Sequence, residues 1–87
     1  MELEQARKLL GWTQGKLAAE ADKVAQRAGE KAGTITGGTI SDIELGRSLR
    51  PSYVLVMRIM QALHKGGLAG VKPEDIFPID EPVGGRR

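Results

Sequence analysis

Apolar residues recur at helical spacing along most of the chain. Leu3, Ala6, Leu9 and Leu10 are predicted to share one face of a first helix over residues 2–10, and Gly11 sits where a C-cap belongs. Thr13 suits the N-cap of a second helix. Lys16 stands three residues on in place of Glu or Gln, so no capping box is expected. Leu17, Ala18, Ala21, Val24, Ala25 and Ala28 then form a stripe of small apolar residues that runs until Gly29, with Gly33 soon after. Thr36 suits the N-cap of a third helix, in which Ile40 and Ile43 share a face, and Gly46 supplies a left-handed stop. Pro51-Ser52 opens a fourth helix from Ser52 to about His64, with Val56, Ile59, Met60 and Leu63 at core spacing. Residues 65–70 are a glycine-rich connector, too short to be a domain linker. Pro73-Glu74-Asp75 suits the first turn of a short fifth helix ending near Phe77-Pro78. The pattern predicts an all-α domain of five helices over residues 1–79, with no strand, no repeat and a flexible tail over residues 80–87.

Composition narrows the function. Eighty-seven residues make one small domain, marginal enough that a partner subunit would help it. There is no cysteine, so no disulfide or thiolate zinc site is expected, and the lone His64 excludes a two-histidine site. His64, near a helix C-terminus, is expected to serve as a cap favoured by the helix dipole. No catalytic constellation, metal or cofactor is expected, and the chain does not read as an enzyme. No apolar run approaches the ~20 residues that span a bilayer, and the acidic start M-E-L-E-Q does not read as a signal peptide. A soluble, cytoplasmic protein is expected. The net charge of +2 and pI of about 9.2 lean basic, which is weak evidence for nucleic acid. Placement says more: Arg47 and Arg50 follow the third helix with no acid between them, whereas residues 74–81 are acidic and unsuited to a phosphate backbone.

In combination, Arg7, Gly11, Thr13-Gln14, Leu17-Ala18, Thr39-Ile40-Ser41, Ile43-Glu44, Gly46 and Pro51 resemble the lambda-repressor-like (Cro/repressor, XRE) helix-turn-helix family of DNA-binding domains. The match spans most of residues 3–77; each short piece alone would be weak. The resemblance implies a homodimeric transcriptional regulator of double-stranded DNA that represses by occlusion. It also implies that Arg7 and Glu44 form a partly buried ion pair tying the first helix to the third, the alternative being two solvated charges. Gln14 would meet a phosphate at the start of the second helix, where a helix N-terminus favours anions. Thr36, Gly37, Gly38, Thr39 and Asp42 would face the major groove, and Arg47 and Arg50 would grip phosphates through their forked guanidinium groups. The region after the fourth helix would dimerise through Leu68, Val71, Ile76, Phe77 and Ile79, or else pack on the monomer's own core. Trp12 reads as core rather than interface.

Two departures from the family stand out. Gly37 and Gly38 offer no side chain where relatives place base-reading groups, while Asp42 can accept from a cytosine amino group but is repelled by phosphate. The glycines would either let the backbone approach DNA closely or mark a helix that meets a protein instead. The second departure is length. The segment from Gln14 to Gly46 carries about a dozen residues beyond a helix-turn-helix whose turn is only ~3–4 residues. Setting a helical rise of ~1.5 Å against an extended return of ~3.3–3.6 Å per residue divides such an insertion into roughly eight helical and four extended residues. The second helix is therefore expected to run about two turns long, to near Ala28, with residues 30–35 returning. Lys23, Arg27 and Lys31 would form a basic ridge on it, partly offset by Glu20, Asp22 and Glu30. A protein-interaction module, such as the antitoxin of a toxin–antitoxin pair, is the rival function; the acidic segment and the glycines motivate it.

Overall fold

A computed structural model describes residues 2–46 and 51–77. Its helices are α1 (Leu3–Leu9), α2 (Gln14–Arg27), α3 (Gly37–Glu44), α4 (Tyr53–Gly66) and α5 (Pro73–Ile76), with no strand among the described residues. No described helix is long and apolar enough to cross a membrane.

Local chemistry sets each boundary. The Glu2 N–H donates to the Gln5 side-chain carbonyl at 2.9 Å and starts α1. Thr13 accepts the Lys16 N–H at 3.0 Å and starts α2. Thr36 and Thr39 cap reciprocally at the start of α3, each hydroxyl accepting the other's backbone N–H at 3.3 Å. Ser52 accepts the Leu55 N–H at 3.1 Å and starts α4. Asp75 accepts the Lys72 N–H at 2.9 Å ahead of Pro73, the first residue of α5. Gly46, at φ +77°, ends α3 in the left-handed region. Helix α4 runs two residues past His64, to Gly66, and Gly67 at φ +127° turns the chain away.

The core is built from Leu3, Ala6, Leu17, Ala18, Ala21, Ala25, Ile35, Ile40, Ile59, Met60, Ala62 and Leu63, with Ile76 and Phe77 closing one side. Helix α2 packs on both α3 and α4, which is where its alanine stripe goes. One member of the expected α1 face is wrong: Leu9 is 64% exposed. At about 100° per residue it lies about 120° from Leu3, whereas Leu10 lies about 20° away. Leu10 is half-buried, and the remaining inward position is taken by Arg7. Trp12 packs against the core beside Leu10, its ring so close to Gly66 that a Cβ there would lie 2.6 Å from it.

The segment from Gln14 to Ile35 is ordered as helix plus return. Helix α2 reaches Arg27, Ala28 caps it, and Gly29 at φ +93° reverses the chain. Asp22, anticipated as a mere charge offset, is 8% exposed and anchors the return. Its Oδ2 accepts from the Gly33 N–H and from Gln26 Nε2, both at 2.9 Å, and its Oδ1 accepts from the Ile35 N–H at 3.1 Å. Those backbone donors hold its carboxyl below the ordinary aspartate value. Glu30, the other supposed offset, takes Arg58 of α4 through Nε at 2.9 Å and Nη2 at 2.6 Å.

One further expectation is corrected. His64 does not cap α4; its Nε2 donates to the Val71 carbonyl at 2.7 Å and ties the glycine-rich connector back to the helix. Ile76 and Phe77 are buried, and Leu68 and Val71 are half-buried against the same core, which is the packing given above as the alternative to a dimer contact. Ile79 and the tail lie outside the described residues.

Candidate nucleic-acid interface

Arg7 and Glu44 make the ion pair that the resemblance implies. Arg7 Nε donates to Glu44 Oε2 at 2.7 Å and Nη2 to Oε1 at 3.0 Å, a bidentate contact between side chains 10% and 4% exposed. Arg7 Nη1 donates to the Trp12 carbonyl at 2.9 Å, and Gln14 Nε2 donates to Glu44 Oε1 at 2.9 Å. One carboxylate thus fixes α1, the α1–α2 turn and the start of α2 to the end of α3. Burial pushes Glu44 up; the hydrogen bonds from Arg7 and Gln14, with the Arg7 charge, outweigh it and leave the carboxyl below its ordinary value. Glu44 in turn raises the Arg7 guanidinium, against burial.

Helix α2 also meets the other end of α3. A Cβ on Gly37 would lie 3.7 Å from Gly15 Cα and 3.8 Å from its nitrogen, so the first turns of the two helices lie side by side. The earliest N–H groups of a helix have no intrahelical partner and carry its positive dipole end. Thr13 and Thr36 each satisfy one of these donors, at Lys16 and Thr39. The peptide N–H groups of Gln14, Gly15, Gly37 and Gly38 make up the rest of this double terminus. Such a surface suits an anion.

The five α3 positions expected at DNA differ in what they offer. Thr36, Gly38 and Asp42 are exposed; Gly37 and Thr39 are half-buried. The Thr39 hydroxyl is engaged with Thr36, which leaves chiefly its methyl for an outside contact. Neither glycine is demanded by packing. Both have ordinary helical φ, and an added Cβ would make normal van der Waals contacts, the nearest at 3.7 Å for Gly37 and 3.6 Å for Gly38. Gln14 is half-buried; one amide hydrogen is spent on Glu44, and the other has no protein acceptor among the described residues. Arg47 and Arg50 lie outside the described residues.

Of the three bases expected to form a ridge, Lys23 is paired, while Arg27 and Lys31 are exposed. Lys23 and Lys16 both bond Glu20, at 3.2 and 3.0 Å, and Lys16 also stands 5.9 Å from the Trp12 ring centroid. Arg27 lines an open groove together with Arg58, Gln61 and Lys65 of α4. Sequence reasoning missed Asp22 as an anchor and the Arg58–Glu30 pair. The latter joins residues 28 apart and leaves no local signature. Among the described residues, no three His, Cys, Asp or Glu side chains gather where they could hold a metal ion. Comparison with protein-family models, with curated proteins and with solved structures finds no match.

Proposed function

We propose that this chain is a lambda-repressor-like helix-turn-helix domain that binds double-stranded DNA as a homodimer and regulates transcription, by occlusion of the promoter rather than by activation. The observation that carries the reading is the α2–α3 pair locked at both ends: Gly15 against Gly37, and Gln14 with Arg7 on Glu44. A recognition helix needs rigid presentation, because base contacts act over hydrogen-bond distances. Here α3 buries Ile40 and turns Gly38 and Asp42 outward. In this reading α3 enters the major groove, the double N-terminus of α2 and α3 meets phosphates, and Arg47 and Arg50 add phosphate grip. With residues 76 and 77 buried, the exposed large apolar side chains among the described residues that a second copy could meet are Leu9, Leu45, Tyr53 and Val54.

Selection of bound duplexes from a random library tests the reading, followed by titration of the best duplex across salt concentrations. A selected motif, with affinity falling steeply as salt rises, supports it. Absence of any enriched sequence and of salt-dependent binding removes it.

The antitoxin reading keeps one observation in its favour: Gly37 and Gly38 present backbone, not side chains, at the positions that would read bases. Stable co-purification with a co-encoded neighbour, without duplex binding, would favour it.

A further inference from the structure

A concave surface lies between the C-terminal end of α2 and the second half of α4. It is an open groove of about 480 Å³, with Val24 and Ala28 as its apolar floor. Arg27 rises from α2, and Arg58, Gln61 and Lys65 from α4. The C-terminal end of α2 forms one wall of this groove: Val24 and Arg27 lie in its last turn, and Ala28 is its C-cap. Arg58 is committed to Glu30. Arg27 and Lys65 are exposed and have no ion-pair partner among the described residues. His64 closes one end with its ring held by the Val71 carbonyl. Three cations around an apolar floor repel one another, and Glu30 offsets only one of them. The arrangement serves an anionic occupant better than it serves the fold.

We propose that this groove docks an acidic, partly apolar peptide segment of a partner protein. Carboxylates would sit against Arg27 and Lys65, an apolar side chain on Val24 and Ala28, and Gln61 would supply a polar contact. The charge selects an acid, and the apolar floor favours a peptide, which can place an aliphatic side chain between its carboxylates, over a sugar-phosphate backbone, which carries no such side chain. A duplex held at the first turns of α2 and α3 would also be centred elsewhere, because Arg27 stands about 18 Å along α2 from Gly15. The inference does not rest on DNA binding, and either can fail alone.

The test is an amide-shift titration of the full ¹⁵N-labelled chain with the blocked peptide EELEELE and its uncharged counterpart QQLQQLQ. Shifts confined to residues 24–28 and 58–65, saturating with EELEELE and at least tenfold weaker with QQLQQLQ, are expected. The exposed-site variant Arg27→Glu/Lys65→Glu should keep the parent's circular dichroism and melting temperature and lose at least tenfold in peptide affinity. Absence of groove shifts, equal binding of the two peptides, or full affinity in the variant would overturn the proposal. So would displacement of EELEELE by a short DNA duplex at the same amides, which would make the groove a phosphate site. Tighter EELEELE binding by Asp80→Asn/Glu81→Gln would also overturn it, by making the chain's own acidic segment the occupant.

Discussion

Gln14 and Arg7 converge on a single oxygen: Glu44 Oε1 accepts the Gln14 amide at 2.9 Å and Arg7 Nη2 at 3.0 Å. Glu44 is therefore a bracket between helices rather than a surface charge. Arg7→Ala strands a buried carboxylate and is expected to cost about 3–5 kcal/mol, the range for breaking a buried pair by removing one partner. The double variant Arg7→Met/Glu44→Leu should recover most of that loss, since no buried charge remains. Urea unfolding of the three proteins at neutral pH checks both statements.

Acid should loosen the fold chiefly through two buried carboxylates, since Glu20, also held below its ordinary value by Lys16 and Lys23, is partly exposed. Asp22 and Glu44 both titrate below their ordinary values in the folded chain. The unfolded chain then binds protons first. Their contribution is complete above the ordinary carboxylate values and is lost as pH falls through the folded ones. Melting temperature should decline steadily from pH 5 downward. Asp22→Asn, melted at the same pH values, should start lower and decline less. An identical pH slope in parent and variant would show that Asp22 does not contribute.

Gly38→Ala should raise stability by up to about 1 kcal/mol, because alanine is the better helix former and its Cβ meets no obstacle. If α3 brings its backbone against DNA, the same methyl should weaken duplex binding. A more stable protein with unaltered duplex affinity would mean that the glycine is not there for close approach.

Gly66→Ala should go the other way. The new methyl would stand 2.6 Å from the Trp12 ring and 3.0 Å from Leu10 Cδ1, and overpacking of this kind costs about 1–3 kcal/mol. Calorimetric melting checks it, and Trp12 fluorescence should shift with the displaced ring.

The elements with strong periodicity and a matching cap were legible in the sequence. Thr13, Thr36, Ser52 and Pro73 open helices where expected, and the long α2 followed from the alanine stripe set against an extended return. Leu9 misled because apolar type outweighed helical phase. His64 misled because its partner, the Val71 carbonyl, depends on how the connector folds back. The apolar residues after α4 could not be divided between core and interface by pattern alone, since both uses require apolar side chains. In the candidate site, the Arg7–Glu44 pair was anticipated through resemblance. That Thr39 would be consumed in capping, and that Gly37 would meet Gly15, depended on the packing of two helices and had no sequence signal.

The tether at Asp22 also has a kinetic consequence. It closes on Gly33 and Ile35 over sequence separations of only 11 and 13 residues, whereas Arg58 reaches Glu30 across 28. Short closures cost less chain entropy and form sooner. Helix α2 and its return are therefore expected to assemble as a local unit before α4 docks on it. The added segment would then lower the contact order of the domain, seeding its folding instead of burdening it.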